Sequence, residues 1–141
     1  MMDICMNGVR ERDVTLVKTE KLDVGGFLVT GKTTTEVGSS NKIYVKSSFV
    51  EVAPSTGVIG NVQNIYLAND EKGLIAGYAT VAPQGTIIHL TASPTKQINF
   101  VTGGNLNLDG ANQTVYDYKV IDFIYSGFAW VFMSGTACSV M

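Results

Sequence analysis

The sequence predicts an all-β fold, an antiparallel β-sandwich or jelly-roll-like domain, and three observations lead there. Val, Ile and Thr dominate, and the 141 residues hold 15 Gly against 3 Pro, which is the composition of strands joined by tight turns. No stretch carries a sustained helical apolar period. Short runs of alternating character recur with a turn signal about every eight to twelve residues.

Residues 97–133 show this most clearly. Ile98 and Phe100 alternate with Asn99 and Val101, Gly103-Gly104 breaks the run, and Leu106 and Leu108 then alternate with Asn105 and Asn107. The result is one apolar and one amide-bearing face. Asp109-Gly110 suits a turn with positive φ angles. Residues 118–125 and 128–133, parted by Ser126-Gly127, are aromatic and β-branched runs that read as a hairpin. Both faces of both strands are substantially apolar, so the second face needs a cover.

Taken in order, residues 1–13 open apolar and turn charged at Arg10-Glu11-Arg12-Asp13, a stretch too short for a stable helix alone. It reads as an arm, with Ile4, Met6, Arg10 and Arg12 as candidate attachment residues. Residues 14–57 form an N-terminal β region. Its strands fall at 14–17, 22–30, 43–45 and 49–52, with 33–41 a polar connection. Pro54-Ser55-Thr56-Gly57 marks the best internal boundary, and residues 58–141 form the C-terminal domain. There, strands at 62–68, 74–81 and 86–91 precede the closing meander.

Length and charge set the limits on function. A chain of 141 residues makes one domain with a real core. The net charge of −2 supplies no basic field for nucleic acid or an anionic membrane, and no apolar run approaches the ~20 residues of a membrane helix. The first eight residues have no basic region followed by an apolar one, so no signal peptide is expected. Cys5 and Cys138 form no CxxC and no disulfide framework. They read as free thiols of a protein folded in the cytoplasm, with a bridge tying the termini or adjacent subunits the other option.

The charges are unevenly placed. Beyond residue 72 only Lys96, Asp109, Asp117, Lys119 and Asp122 remain. Charge depletion marks interface cores, so the C-terminal half is expected to lie against sister copies in a closed homomer. Tyr116, Tyr118, Phe123, Tyr125, Phe128, Trp130 and Phe132 crowd into the same region. Phe100, Leu106, Leu108, Ile121, Phe123, Tyr125, Phe128, Trp130 and Phe132 are the candidates for core and trimer interface, since aromatics dominate both. A sugar-stacking surface built on Trp130 and the tyrosines is the other reading.

Catalytic and cofactor patterns do not hold up. Gly26-Phe27-Leu28-Val29-Thr30-Gly31-Lys32-Thr33 matches G-x-x-x-x-G-K-[ST]. A phosphate-binding loop, however, needs flexible residues and a helix that follows at once, whereas Phe-Leu-Val-Thr prefers a strand. His89 is the sole histidine and sits between Ile88 and Leu90 without a nucleophile elbow. Three copies could bring it to a threefold axis as a metal site, but no second ligand is near. Asp117 and Asp122 are five apart, an odd number, which on one strand points them opposite ways. No enzyme, cofactor or metal is expected.

One resemblance remains. The pattern Gly85-Thr86-Ile87-Ile88-His89-Leu90, Ile98-Asn99-Phe100, Gly104-Asn105-Leu106-Asn107-Leu108-Asp109-Gly110 and Ile124-Tyr125-Ser126-Gly127-Phe128-Ala129-Trp130 resembles the C-terminal β domains of tailed-bacteriophage fibre and head-fibre proteins, over residues 60–135. The resemblance implies an intertwined homotrimer with a non-enzymatic role in the virion, assembled in the host bacterial cytoplasm. It also implies an N-terminal segment that attaches to other virion proteins of the capsid or collar. The chain has no long repetitive shaft and no catalytic groove, which favours a capsid-mounted head fibre or decoration protein. The alternative is a receptor-binding tail-fibre tip contacting host surface glycans. A monomeric β-sandwich binding module is a third reading.

Overall fold

A computed structural model describes residues 19–67, 82–117, 119–135 and 138–140, without the side chains of 134, 135 and 138–140. Twelve strands fall within these residues, in three sheets. They are β1 (Lys32–Glu36), β2 (Lys42–Val45), β3 (Phe49–Ala53), β4 (Ile59–Val62), β5 (Asn64–Leu67) and β6 (Ile87–Ala92), followed by β7 (Gln97–Phe100), β8 (Leu106–Asn107), β9 (Asn112–Tyr116), β10 (Val120–Tyr125), β11 (Trp130–Gly135) and β12 (Cys138–Val140). The only helical element among the described residues is one 3-10 turn at Ser39–Asn41. The all-β expectation holds.

The strand directions differ from the antiparallel expectation. β1, β3 and β6 lie parallel in one sheet, β2 and β5 in a second, and β4 and β7 in a third. The chain therefore winds around three sides of a prism. A first rung covers residues 32–45 and a second 49–67, both ending in the two-stranded sheet; a third covers 87–107, and its last strand, β8, joins the far edge of the six-stranded sheet instead. Asn41 takes the place of a strand on the third side of the first rung, where its carbonyl accepts from the Gln63 N–H at 2.9 Å. A parallel pair needs a long crossover connection, and here one or more strands of the other sheets lie between the two partners of each of these pairs.

After the third rung the chain turns back. Asp109 and Gly110 adopt the positive φ angles, 55° and 89°, that their sequence suggests. β9 then pairs antiparallel with β7, β10 with β6, β11 with β10, and β12 with β9. The six-stranded sheet thus runs β1-β3-β6-β10-β11-β8, and the four-stranded sheet β12-β9-β7-β4. The antiparallel expectation is met in these pairs, while β11 runs parallel to β8 at the far edge of its sheet.

One core fills the prism. Val50, Val52, Ile88 and Leu90 from the large sheet meet Ile98, Phe100, Val62 and Val115 from the four-stranded sheet and Ile43, Val45 and Ile65 from the two-stranded sheet, all buried. Alternation makes this work: inward positions are mostly apolar, while many outward ones are Lys, Glu, Thr, Asn and His. On the outer side of the four-stranded sheet a polar ladder replaces charge. Asn99 Nδ2 donates to Asn61 Oδ1 at 3.1 Å, and Asn99 Oδ1 accepts from Thr114 Oγ1 at 2.9 Å.

Several element assignments need correction. Residues 33–41, expected to be a connection, contain β1, because Thr33 and Thr35 turn half-buried β-branched side chains inward. Residues 22–30, expected to be a strand, are exposed, bend at Gly25-Gly26 and pair with no described strand. The run at 62–68 is two strands parted at Gln63. β9 and β12 lie in stretches not read as strands. The turn at 54–57 does not separate sheets, since β3 pairs with β6 and β2 with β5 across it. The expected arm at 1–13 and the expected strands at 14–17 and 74–81 lie outside the described residues.

Candidate functional site

The residues singled out for core and interface come together inside one chain. Phe100, Leu106, Leu108, Ile121, Phe123 and Trp130 are all buried, and Tyr125 and Phe132 pack against them. Phe123 links the cluster, with its ring centroid 5.6 Å from Phe100 and 6.4 Å from Phe132. Tyr125 lies 5.0 Å from Trp130. The meander's inner face is thus covered by the chain's own rungs. Phe128 is the exception: it stands 92% exposed at the tip of the turn that Ser126 closes through its bond from N to Ala129 O, 2.9 Å. Ile4, Met6, Arg10 and Arg12 lie outside the described residues.

The outer face of the six-stranded sheet carries the polar chemistry. Register places Phe49, His89 and Asp122 side by side on β3, β6 and β10. Their strand neighbours Val50, Leu90 and Ile121 point the other way into the core. His89 Nδ1 and Asp122 Oδ1 are 2.6 Å apart, a pair that the 33-residue separation in the chain conceals. In a neutral ring, a carboxylate beside Nδ1 favours the tautomer with the proton on that nitrogen, which makes Nε2 the acceptor. This is the base-and-orienter half of a hydrolytic triad, but among the described residues no hydroxyl is bonded to His89. No three His, Cys, Asp or Glu side chains converge as a metal site among the described residues either.

Next to this pair lies a groove of about 330 Å³ lined by Lys32, Phe49, Glu51, Thr91, Ala92, Pro94, Asp117 and Val120. Phe49, Ala92, Pro94 and Val120 make its apolar surface. Its charges are engaged: Lys32 Nζ lies 3.0 Å from Glu51 Oε1, Glu51 Oε2 accepts from Ser93 Oγ at 3.2 Å, and Asp117 Oδ1 accepts from the Thr95 N–H at 2.8 Å. Thr91 Oγ1 donates to Lys119 O at 2.6 Å. Asp117 sits in the turn before β10, so the strand periodicity used to place it does not apply.

The glycine-lysine motif is extended. Residues 27–31 are exposed, and Lys32-Thr33 begin β1 rather than a helix, so no helix N-terminus faces a phosphate there. Among the described residues no helix is long and apolar enough to cross a membrane.

The fold and its outer face define an all-β chain whose three parallel rungs are closed by antiparallel strands. No family model matches the chain, and no curated protein or solved structure does.

Proposed function

We propose that this chain is a structural component of a tailed-bacteriophage particle, a capsid-mounted head fibre or decoration protein. In this reading it assembles as a homotrimer and has no enzymatic role. Its N-terminal part joins it to other virion proteins, and it resides in the virion after assembly in the host cytoplasm. The observation that carries the reading is the segment at residues 22–31. It is exposed, with Leu22, Val24, Phe27, Leu28 and Val29 uncovered, and it leads straight into β1. An uncovered apolar segment attached to a folded domain is suited to docking on a larger assembly. The likeness of residues 60–135 to fibre and head-fibre domains supplies the virion context.

The test is a tagged copy expressed during growth of the phage that encodes it, followed by density-gradient purification of particles. The tagged chain is expected in the particle band, and a copy lacking residues 1–31 is expected to be absent from it. A full-length chain that stays at the top of the gradient overturns the proposal.

A second reading, a receptor-binding tail-fibre tip, is favoured by Phe128 at the tip of its turn, since an exposed ring can stack on a sugar face. Retention of the purified chain on host-surface polysaccharide, lost in Phe128→Ser, would decide for it.

A further inference from the structure

We infer that residues 24–30 of one copy lie across the groove of a second copy, the groove that Phe49, Ala92, Pro94 and Val120 line on the outer face of the six-stranded sheet. The inference deepens the homotrimer reading and rests on it by naming the contact that joins the copies. Two uncovered apolar surfaces occur on the same molecule. One is the groove, at the small end of the range for ligand sites. The other is the run Val24-Gly25-Gly26-Phe27-Leu28-Val29-Thr30, in which Phe27 is 95% exposed and Leu28 and Val29 are also uncovered.

Charge selects the occupant. Residues 24–31 carry no ionisable side chain. The groove in turn asks for no charged ligand, because Lys32 and Glu51 satisfy each other and Asp117 is bonded to the Thr95 backbone. An uncharged apolar peptide fits such a surface without a stranded charge.

Dimensions agree. The groove crosses β1, β3, β6 and β10, three strand spacings or about 14 Å, and seven extended residues reach about 23 Å. β-Branched and aromatic side chains favour the extended form this requires.

The contact forms between copies rather than within one. In its own chain the segment enters β1 at Lys32, on the groove's rim, and Phe27 stands in solvent. Segment and groove are different surfaces, so the contact is head-to-tail. Repeated around an axis it closes a ring, as a cyclic trimer requires.

The experiment uses the full chain. Light scattering at micromolar concentration is expected to give three times the 15.1 kDa chain mass. Phe27→Asp combined with Leu28→Asp is expected to weaken assembly about a hundredfold or more. Both side chains are exposed in the single chain, so circular dichroism should stay unchanged. Benzoylphenylalanine at position 27, in a mixture of ¹⁴N- and ¹⁵N-labelled chains, is expected to cross-link to residues 49–51, 91–94 or 117–120 in mixed-isotope pairs. Same-isotope products alone, or cross-links elsewhere in a threefold-mass species, overturn the groove contact and leave the homotrimer standing. A monomeric wild-type chain overturns both, and the particle-band experiment still tests the virion assignment by itself.

Discussion

Asn105 does the work of a missing strand for Ile65. The Ile65 N–H donates to Asn105 Oδ1 at 2.9 Å, and Asn105 Nδ2 donates back to Ile65 O at 2.8 Å. Trp130 Nε1 donates to the same carbonyl at 2.9 Å, and the Trp130 N–H donates to Asn105 O at 2.8 Å. β5 would otherwise leave buried backbone groups unpaired on that side. One amide thus ties the second rung to the far edge of the six-stranded sheet.

Asn105→Leu is expected to destabilise the chain by about 2 kcal/mol, because it strands the Ile65 N–H. Trp130→Phe leaves no such orphan, since Asn105 still serves the carbonyl. The double variant removes both donors to Ile65 O, so its loss should exceed the sum of the singles by about 1 kcal/mol. Urea unfolding of the four chains measures this; strict additivity would refute the shared role.

Trp130 is the only tryptophan and is 1% exposed. Its emission in the native chain is expected to be blue-shifted and poorly quenched by acrylamide, moving red in one step with unfolding. A native spectrum like that of the unfolded chain would contradict the core described above.

Gly104 has φ 53°, and a Cβ there would collide with Gln63 O. Gly110 also has positive φ, 89°, but open space around it. Gly110→Ala is expected to cost about 1–2 kcal/mol for backbone strain alone. Gly104→Ala should cost about 2 kcal/mol more, because the steric conflict with backbone adds to the strain. Thermal and urea unfolding compare them, and equal losses would show that the close approach is relaxed.

His89 and Asp122 are both partly exposed, at 44% and 25%. A double-mutant cycle with His89→Gln and Asp122→Asn is expected to give a coupling of about 1 kcal/mol or less. Long-range ¹H–¹⁵N NMR of the single histidine should place the neutral ring's proton on Nδ1. A proton on Nε2 would show that the carboxylate does not orient the ring.

Much of the strand content was legible in the sequence. The alternation of Ile98 and Phe100 with Asn99, and of Leu106 and Leu108 with Asn107, places inward and outward faces correctly, because period 2 is a property of any strand. The Asp109-Gly110 turn was legible for the same local reason. β1 was not: Thr33 and Thr35 are polar by composition, yet their methyl-bearing side chains turn inward. The burial of Trp130 and Phe123 followed from their size and apolarity, but not what buries them.

The sequence by itself determined that this chain is all-β, where many of its strands lie and which side is apolar at residues 98–108, since these depend on side-chain chemistry and local backbone preference. Only the tertiary structure decided that the first strands run parallel, that Asn105 completes β5, that His89 meets Asp122, and that Lys32 and Asp117 border one groove. Period-2 alternation is identical for parallel and antiparallel strands. Which residues become neighbours across 33 or 40 positions is set by how the rungs stack, a choice made by the whole core at once.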